Sequence, residues 1–304
     1  MKRIIISFSF MLGVFQLLAQ QDPLYGQYIF NNAIINPAQA GVQDVNQCGI
    51  LARRQWLGMD GAPATNSIFI NTSLPKNLGF AGGIYSDRIG PIRDLTFQAD
   101  VAAHVPINSN WTFSGGIRTM ASNLSVNLTS LQTNQTGDPN FNTNFNSGTY
   151  FNMGAGVLFY SEKIFAGASF PRLFTREVND GKTAISKYQN HLYIYGGTEL
   201  KVNEDFTFKP SILFKRVSDA PLQFDLNFVF DYKDVLAAGP MIRSRDAIGF
   251  LLGYKITSKI YVGYMYEYPL TDLRLATKQT HELSLRMLWQ TKYKKRVKSP
   301  RYFL

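Results

Sequence analysis

The chain has one cysteine, Cys48, and three histidines, His104, His191 and His281. A single thiol excludes an intramolecular disulfide framework and any zinc ribbon. The histidines are scattered, with no pair at metal-ligand spacing. Charged residues make up only 17% of the 304 positions, below the roughly 25% typical of soluble domains. Aromatics reach 14%, so the composition is also wrong for a disordered chain. Beyond residue 19 no apolar run approaches the ~20 residues of a membrane-spanning helix, which excludes a helical inner-membrane protein. No G-x-S-x-G elbow, H-E-x-x-H or Walker loop is present. His104 and Asp100 share a strand face but lie ~13 Å apart along it, too far for a base and its orienting carboxylate. No catalytic role, cofactor, metal or nucleic-acid partner is expected.

Lys2 and Arg3 precede an apolar run from Ile4 to Leu18 that ends at Ala19. At fifteen residues it is too short to span a bilayer, and residues 1–19 read as a secretory signal peptide. Its removal lowers the formal charge from +10 to +8, so the mature chain stays basic. The rest of the sequence alternates with period two. Leu222, Phe224, Leu226, Phe228, Phe230 and Tyr232 interleave with Gln223, Asp225, Asn227, Val229 and Asp231, which gives a strand with one greasy and one wet face. Leu95 to Val105 and Ile260 to Tyr268 repeat the pattern.

Read throughout, the alternation gives fourteen strands, near 47–56, 65–74, 77–87, 94–106, 109–120, 149–161, 162–170, 190–201, 204–217, 222–233, 235–244, 246–256, 258–268 and 280–290. An even number of strands of this length suits an all-β, antiparallel transmembrane outer-membrane β-barrel over residues 47–290. Every second connection is short, from Pro75-Lys76 to Thr257, and most of the others are longer. That is the asymmetry of periplasmic turns and outer loops, broken only at Ser244-Arg245. A secreted β-sandwich is the competing reading. Against it stand the missing disulfide and the aromatics at strand ends, Trp56, Trp111, Tyr150, Tyr160, Tyr232, Tyr254, Tyr268 and Trp289, which read as interfacial girdles.

Parity turns Asp100, His104, Arg118, Glu199, Lys209, Lys215, Asp225, Asp231, Lys255, Glu267, Glu282 and Arg286 inward. Charges of both signs point to a paired, filled interior rather than a pore selecting one sign. Residues 20–46 precede the first strand with Tyr25, Tyr28, Ile29, Ile34 and Ile35 around Gln27, Asn31 and Asn32. This segment reads as an N-terminal plug or periplasmic segment, with a disordered leader as the alternative. Residues 291–304 form a basic periplasmic tail suited to an acidic partner or lipid headgroups, or simply a solvated tail.

The same N-terminal stretch carries the most specific words in the sequence. It reads Gln21-Asp22-Pro23-Leu24-Tyr25-Gly26-Gln27-Tyr28-Ile29-Phe30-Asn31, then Ile35-Asn36-Pro37-Ala38-Gln39-Ala40-Gly41, Arg54-Gln55-Trp56 and Gly61-Ala62-Pro63. These four ordered segments resemble the PorP/SprF family of type IX secretion system outer-membrane proteins of Bacteroidetes. The resemblance continues through Asp87 to Pro91, Phe224-Asp225-Leu226-Asn227, Gly263-Tyr264 with Tyr266, and His281-Glu282. It departs at Glu267, where aspartate is usual, and at Lys278-Gln279-Thr280, which replaces a glycine-serine-rich lead. The resemblance implies a barrel that works with other translocon subunits, in outer-membrane lipid, to secrete or attach a cargo protein bearing a type IX C-terminal domain, in some members a gliding-motility adhesin. A passive porin or structural barrel is the alternative. Phe141 and Phe145, in the Asn/Thr-rich loop, and Leu273 and Leu275, in the last outer loop, are the candidate cargo contacts.

Overall fold

The computed structural model describes residues 25–130, 144–179, 184–218, 220–275, 277 and 279–291. Fourteen antiparallel strands close into a barrel. They are β1 (Val45–Arg54), β2 (Ala64–Leu74), β3 (Leu78–Ile89), β4 (Ile92–Pro106), β5 (Thr112–Val126), β6 (Phe145–Tyr160) and β7 (Ile164–Phe170). Next comes β8 (His191–Thr198, continued by Leu200–Lys201), then β9 (Phe206–Val217), β10 (Gln223–Tyr232), β11 (Leu236–Arg243), β12 (Ala247–Lys255), β13 (Ile260–Pro269) and β14 (Thr280–Gln290). Each strand pairs with its sequence neighbour, β7 with β8 and β8 with β9 included, and β1 pairs with β14. Closure leaves no strand edge in the wall.

The alternation is obeyed along the wall. Asp225, Asn227, Val229 and Asp231 of β10 are buried while Phe224, Phe230 and Tyr232 are exposed outside. On β14, Glu282, Ser284 and Arg286 face in, and Leu283, Leu285 and Met287 face out. The outer face is thus an apolar band of Ile50, Ile68, Ile84, Phe97, Val101, Ile117, Val157, Phe250 and Leu252. Such a surface is stable only against lipid.

Strand ends depart from the expectation at several places. β4 begins at Ile92 and β5 runs to Val126, so Gly90-Pro91 becomes a tight connection like Ser244 to Asp246. β6 begins at Phe145, so that residue opens a strand instead of lying in a loop, and it packs half-buried against Leu124 and Val126. The long connection between β7 and β8 carries a hairpin of its own, Arg176–Asn179 paired with Ala184–Tyr188. Tyr188 donates to Asp94 at 2.8 Å, and the Arg176 guanidinium stands 4.6 Å over the Tyr150 ring. These contacts tie the hairpin to the tops of β4 and β6, where propensity alone marks no strand.

The girdle reading needs correction at Tyr150 and Tyr160. Both are buried, because β6 turns its even-numbered side chains inward here. The outward aromatics of that strand are Phe151 and Phe159, and Phe159 stacks on Trp111 with ring centroids 4.6 Å apart. Trp56 lies beyond the end of β1 in a left-handed backbone conformation, φ 49°.

Candidate functional site

The barrel interior is occupied by its own chain. Residues 25–43 form three short 3-10 turns, Gly26–Phe30, Asn32–Ile34 and Pro37–Gln39, and nearly every side chain in the stretch is buried. Alternate inward positions down β14 hold the first turn. Glu282 accepts the backbone N–H groups of Gly26 at 2.8 Å and Gln27 at 3.0 Å, Ser284 donates to Gln27 Oε1 at 2.6 Å, and Arg286 donates to the Phe30 carbonyl at 3.1 Å. The segment therefore enters beside the long-loop end of β14 and descends toward the short turns.

Midway, Arg118 donates to the Ile34 carbonyl at 2.9 Å and to that of Ala33, while its other face grips Asp100 at 2.8 Å. Asn36 caps the third turn through a 2.8 Å bond from Ala38 N to its Oδ1, with Pro37 at the first position, as capping chemistry favours. Its amide reaches the Val157 carbonyl at 3.0 Å and the Tyr195 hydroxyl at 3.1 Å, and Gln39 joins Tyr195 at 2.9 Å. Ser169 and Ser114 donate to the carbonyls of Ile35 and Ala38. At the bottom, Gly41 N donates to Asn71 at 2.6 Å and Ser73 donates to the Gly41 carbonyl at 3.0 Å. A chain in irregular turns inside a barrel leaves many backbone groups without partners of its own, and the wall supplies them side chain by side chain.

Two glycines decide how closely the segment can approach. A Cβ at Gly116 would meet the backbone of Pro37 and Ala38, and one at Gly79 would overlap the Ala40 carbonyl. Gly41 itself has φ +67°, a left-handed conformation that favours glycine.

Above the segment's entry sits a network of ion pairs. Arg53 lies 2.9 Å from Glu267 and 3.3 Å from Glu282, and Arg243 lies 3.1 Å from Glu267 and 3.0 Å from Asp225. Two guanidinium groups thus face three buried carboxylates, with the half-buried Asp246 also 3.9 Å from Arg243, and two backbone N–H groups also donate to Glu282. Asp100–Arg118 and Lys209–Asp231, at 2.8 and 3.2 Å, are separate pairs. Breaking one buried pair costs about 3–5 kcal/mol.

Of the expected inward residues, Asp100, His104, Arg118, Lys209, Lys215, Asp225, Asp231, Glu267, Glu282 and Arg286 are buried, and Glu199 and Lys255 are half-buried. Arg53 and Arg243 were missed. The adjacent pair Arg53-Arg54 could have revealed the first, since parity must turn one of two neighbours inward. The motif residues converge. Tyr25, Gln27, Tyr28, Asn36, Pro37 and Gly41 lie on the inner segment, and the Asn227 amide donates to the Tyr28 hydroxyl at 2.8 Å. Asp225 and Glu282 belong to the ion network, whereas Trp56 stays in the loop after β1, its N–H 3.4 Å from Thr280 Oγ1. Leu275 is 83% exposed at the end of the turn Asp272–Leu275. Residues 1–19, Asp22, Pro23, Phe141, the Leu273 side chain and residues 292–304 lie outside the described residues.

A closed wall of fourteen antiparallel strands, greasy outside and ion-paired within, is an outer-membrane β-barrel. Its fold is similar to that of a FadL homologue from Pseudomonas aeruginosa, with a TM-score of 0.50 at 9% identity over 86% of this chain and 93% of that one. Omp33 of Acinetobacter baumannii is also similar, at TM-score 0.45 and 11% identity over 82% and 100%. The toluene transporter TbuX of Ralstonia pickettii follows at 0.48 and 8% over 86% and 93%. These likenesses concern the fold. No curated protein matches the chain. The family model of the type IX secretion system membrane protein PorP/SprF matches residues 17–287, and the chain belongs to that family. It is a type IX secretion-associated barrel of the outer membrane.

Proposed function

We propose that the barrel assists secretion or cell-surface attachment of a cognate cargo protein carrying a type IX C-terminal domain, in the manner of a gliding-motility adhesin anchor, and that residues 20–46 serve as its plug. The observation that carries this reading is the burial of residues 25–43 along the lumen, with hydrogen bonds from the Glu282 end to the Asn71 end. A barrel filled this way works through its rims rather than by conducting solutes, which weighs against a passive porin. At the outer rim Leu270 and Leu275 are exposed beside Asp272 and Arg274, an apolar centre with a charged border of the kind that makes protein contacts. Phe141, Phe145 and Leu273 are the other proposed contacts. Translocon subunits are the expected partners at the periplasmic rim, and the basic residues 291–304 are proposed to meet one of them there.

The test is to isolate the protein from native outer membranes and identify by mass spectrometry what stays bound. A secreted protein with a type IX C-terminal domain is expected, and Leu273→Ser with Leu275→Ser should lower its retention about tenfold while the barrel still assembles, a loss of ~1.4 kcal/mol. Rapid solute uptake in liposome swelling, with no secreted or translocon protein recovered, would establish the porin instead.

A further inference from the structure

The outward face of the wall carries a row of cations at the outer end that the interior does not use. Strand register aligns His281, Arg54, Ala64, Arg88 and Arg93 as successive cross-strand partners over β14, β1, β2, β3 and β4. All three arginines are exposed. Arg54 and Arg88 are two strand spacings apart, roughly 10 Å, while Arg88 and Arg93 face each other directly. Like charges placed opposite one another destabilise a sheet unless something neutral or negative intervenes.

No carboxylate of the described residues does so. The ion pairs include none of the three arginines. Asp87 and Asp94, their sequence neighbours, take hydrogen bonds on the other face, from the Thr65 hydroxyl at 2.6 Å and the Tyr188 hydroxyl at 2.8 Å. Arg88 donates through Nε to the Gly90 carbonyl at 3.4 Å, and Arg93 through Nε to Ser86 Oγ at 3.3 Å. Arg54 uses Nη1 alone, on the Arg53 and Thr65 carbonyls and Asn66 Oδ1. Both terminal nitrogens of Arg88 and Arg93, and Nη2 of Arg54, thus have no hydrogen-bond acceptor among the described residues and are open to one from outside the chain.

The height of the row says which acceptor. Four residues below it on the same face are Ile50, Ile84 and Phe97, all exposed members of the lipid-facing band. On strands tilted ~40°, four residues raise a side chain roughly 10 Å above those neighbours, which is the headgroup layer. A protein reaching this face would first have to displace the lipid that the band requires. Phosphate matches the planar fork of arginine in two-pronged fashion. We propose that Arg54, Arg88 and Arg93 bind the phosphate groups of an outer-leaflet glycolipid headgroup, with His281 at the end of the row, its Nδ1 held 2.6 Å from the Tyr264 hydroxyl.

The test is a native mass-spectrometric titration of the detergent-purified full chain with lipopolysaccharide and with the same lipid stripped of its phosphates. The expected result is about tenfold tighter binding of the phosphorylated form, lost in the triple variant R54Q/R88Q/R93Q, whose heat-modifiable migration reports an assembled barrel. Equal binding by the variant, or indifference to the phosphates, overturns the proposal. So does a variant that keeps the lipid but loses a secreted protein in pull-down, because the row is then a protein contact. Should the triple variant fail to assemble, R93Q alone removes the Arg88–Arg93 apposition and is expected to bind about threefold more weakly; unchanged binding there also overturns the proposal.

Discussion

Individual side chains do two separate jobs in this wall, and substitutions should tell them apart. Arg243 holds Asp225 and Glu267 together inside the barrel. Arg243→Met keeps the bulk but strands Asp225 and leaves Glu267 to Arg53 alone, so a loss of about 3–5 kcal/mol is expected. The transition from folded to unfolded migration on heating, followed by gel, checks it. Gly116 holds no charge and packs no side chain; its importance is the space that the Pro37–Ala38 backbone fills. Gly116→Leu should leave the strands paired, because the wall bonds are backbone bonds, yet push the inner segment off its seat. Protease cleavage between residues 25 and 43 is the readout, with an intact wild-type segment for comparison. Arg243 shares its strand face with Ala237, Gly239 and Met241, so no polar alternation marks it as inward, and nothing near Gly116 in the sequence announces that Pro37 will lie against it.

At the scale of elements, the inner segment and the outer hairpin show how local sequence and distant contacts divide the work. Asn36-Pro37 makes its own turn, and that much is local. The path through the lumen is not local, since it is drawn by Glu282, Arg118, Ser114 and Asn71 on four different strands. The hairpin docks through Tyr188, whose hydroxyl pKa is raised well above the ordinary 10.0 by burial first and then by the charge of Asp94. An undocked phenol ionises near pH 10 while the docked one resists, so docking is fully stabilised below that pH and weakens as pH rises beyond it. Proteolysis within the connection between β7 and β8 should accelerate from about pH 10 to 12 in the wild type and much less in Tyr188→Phe. A flat profile in the wild type would show that this hydroxyl does not hold the hairpin.

For the whole molecule, the measurable consequence is orientation. The proposed orientation puts short turns such as Pro75 to Asn77 in the periplasm and the connection between β13 and β14 outside the cell. In a Cys48→Ser background, Asp272→Cys should react with a membrane-impermeant maleimide on intact cells, and Lys76→Cys should react only after the outer membrane is opened. The reverse pattern would invert the barrel. The strand count and the facing of most strands follow from period-two alternation, because a strand between lipid and a wet interior must write its two environments into alternate residues. That is why Leu283, Leu285 and Met287 fall on one face of β14, and Glu282 and Arg286 on the other, by alternation alone. The family words at both ends of the chain were legible too. Strand tops were not, because above the membrane β4, β5 and β6 lose the lipid that enforces alternation, so Phe145 and Tyr150 read as loop and girdle residues. Nor could the sequence say that Gln27 and Ser284, 257 positions apart, would share a hydrogen bond. Alternation specifies which side of a wall a residue faces; only closure of the β1–β14 seam decides which inward residues come within 3 Å of one another and of the segment threaded between them.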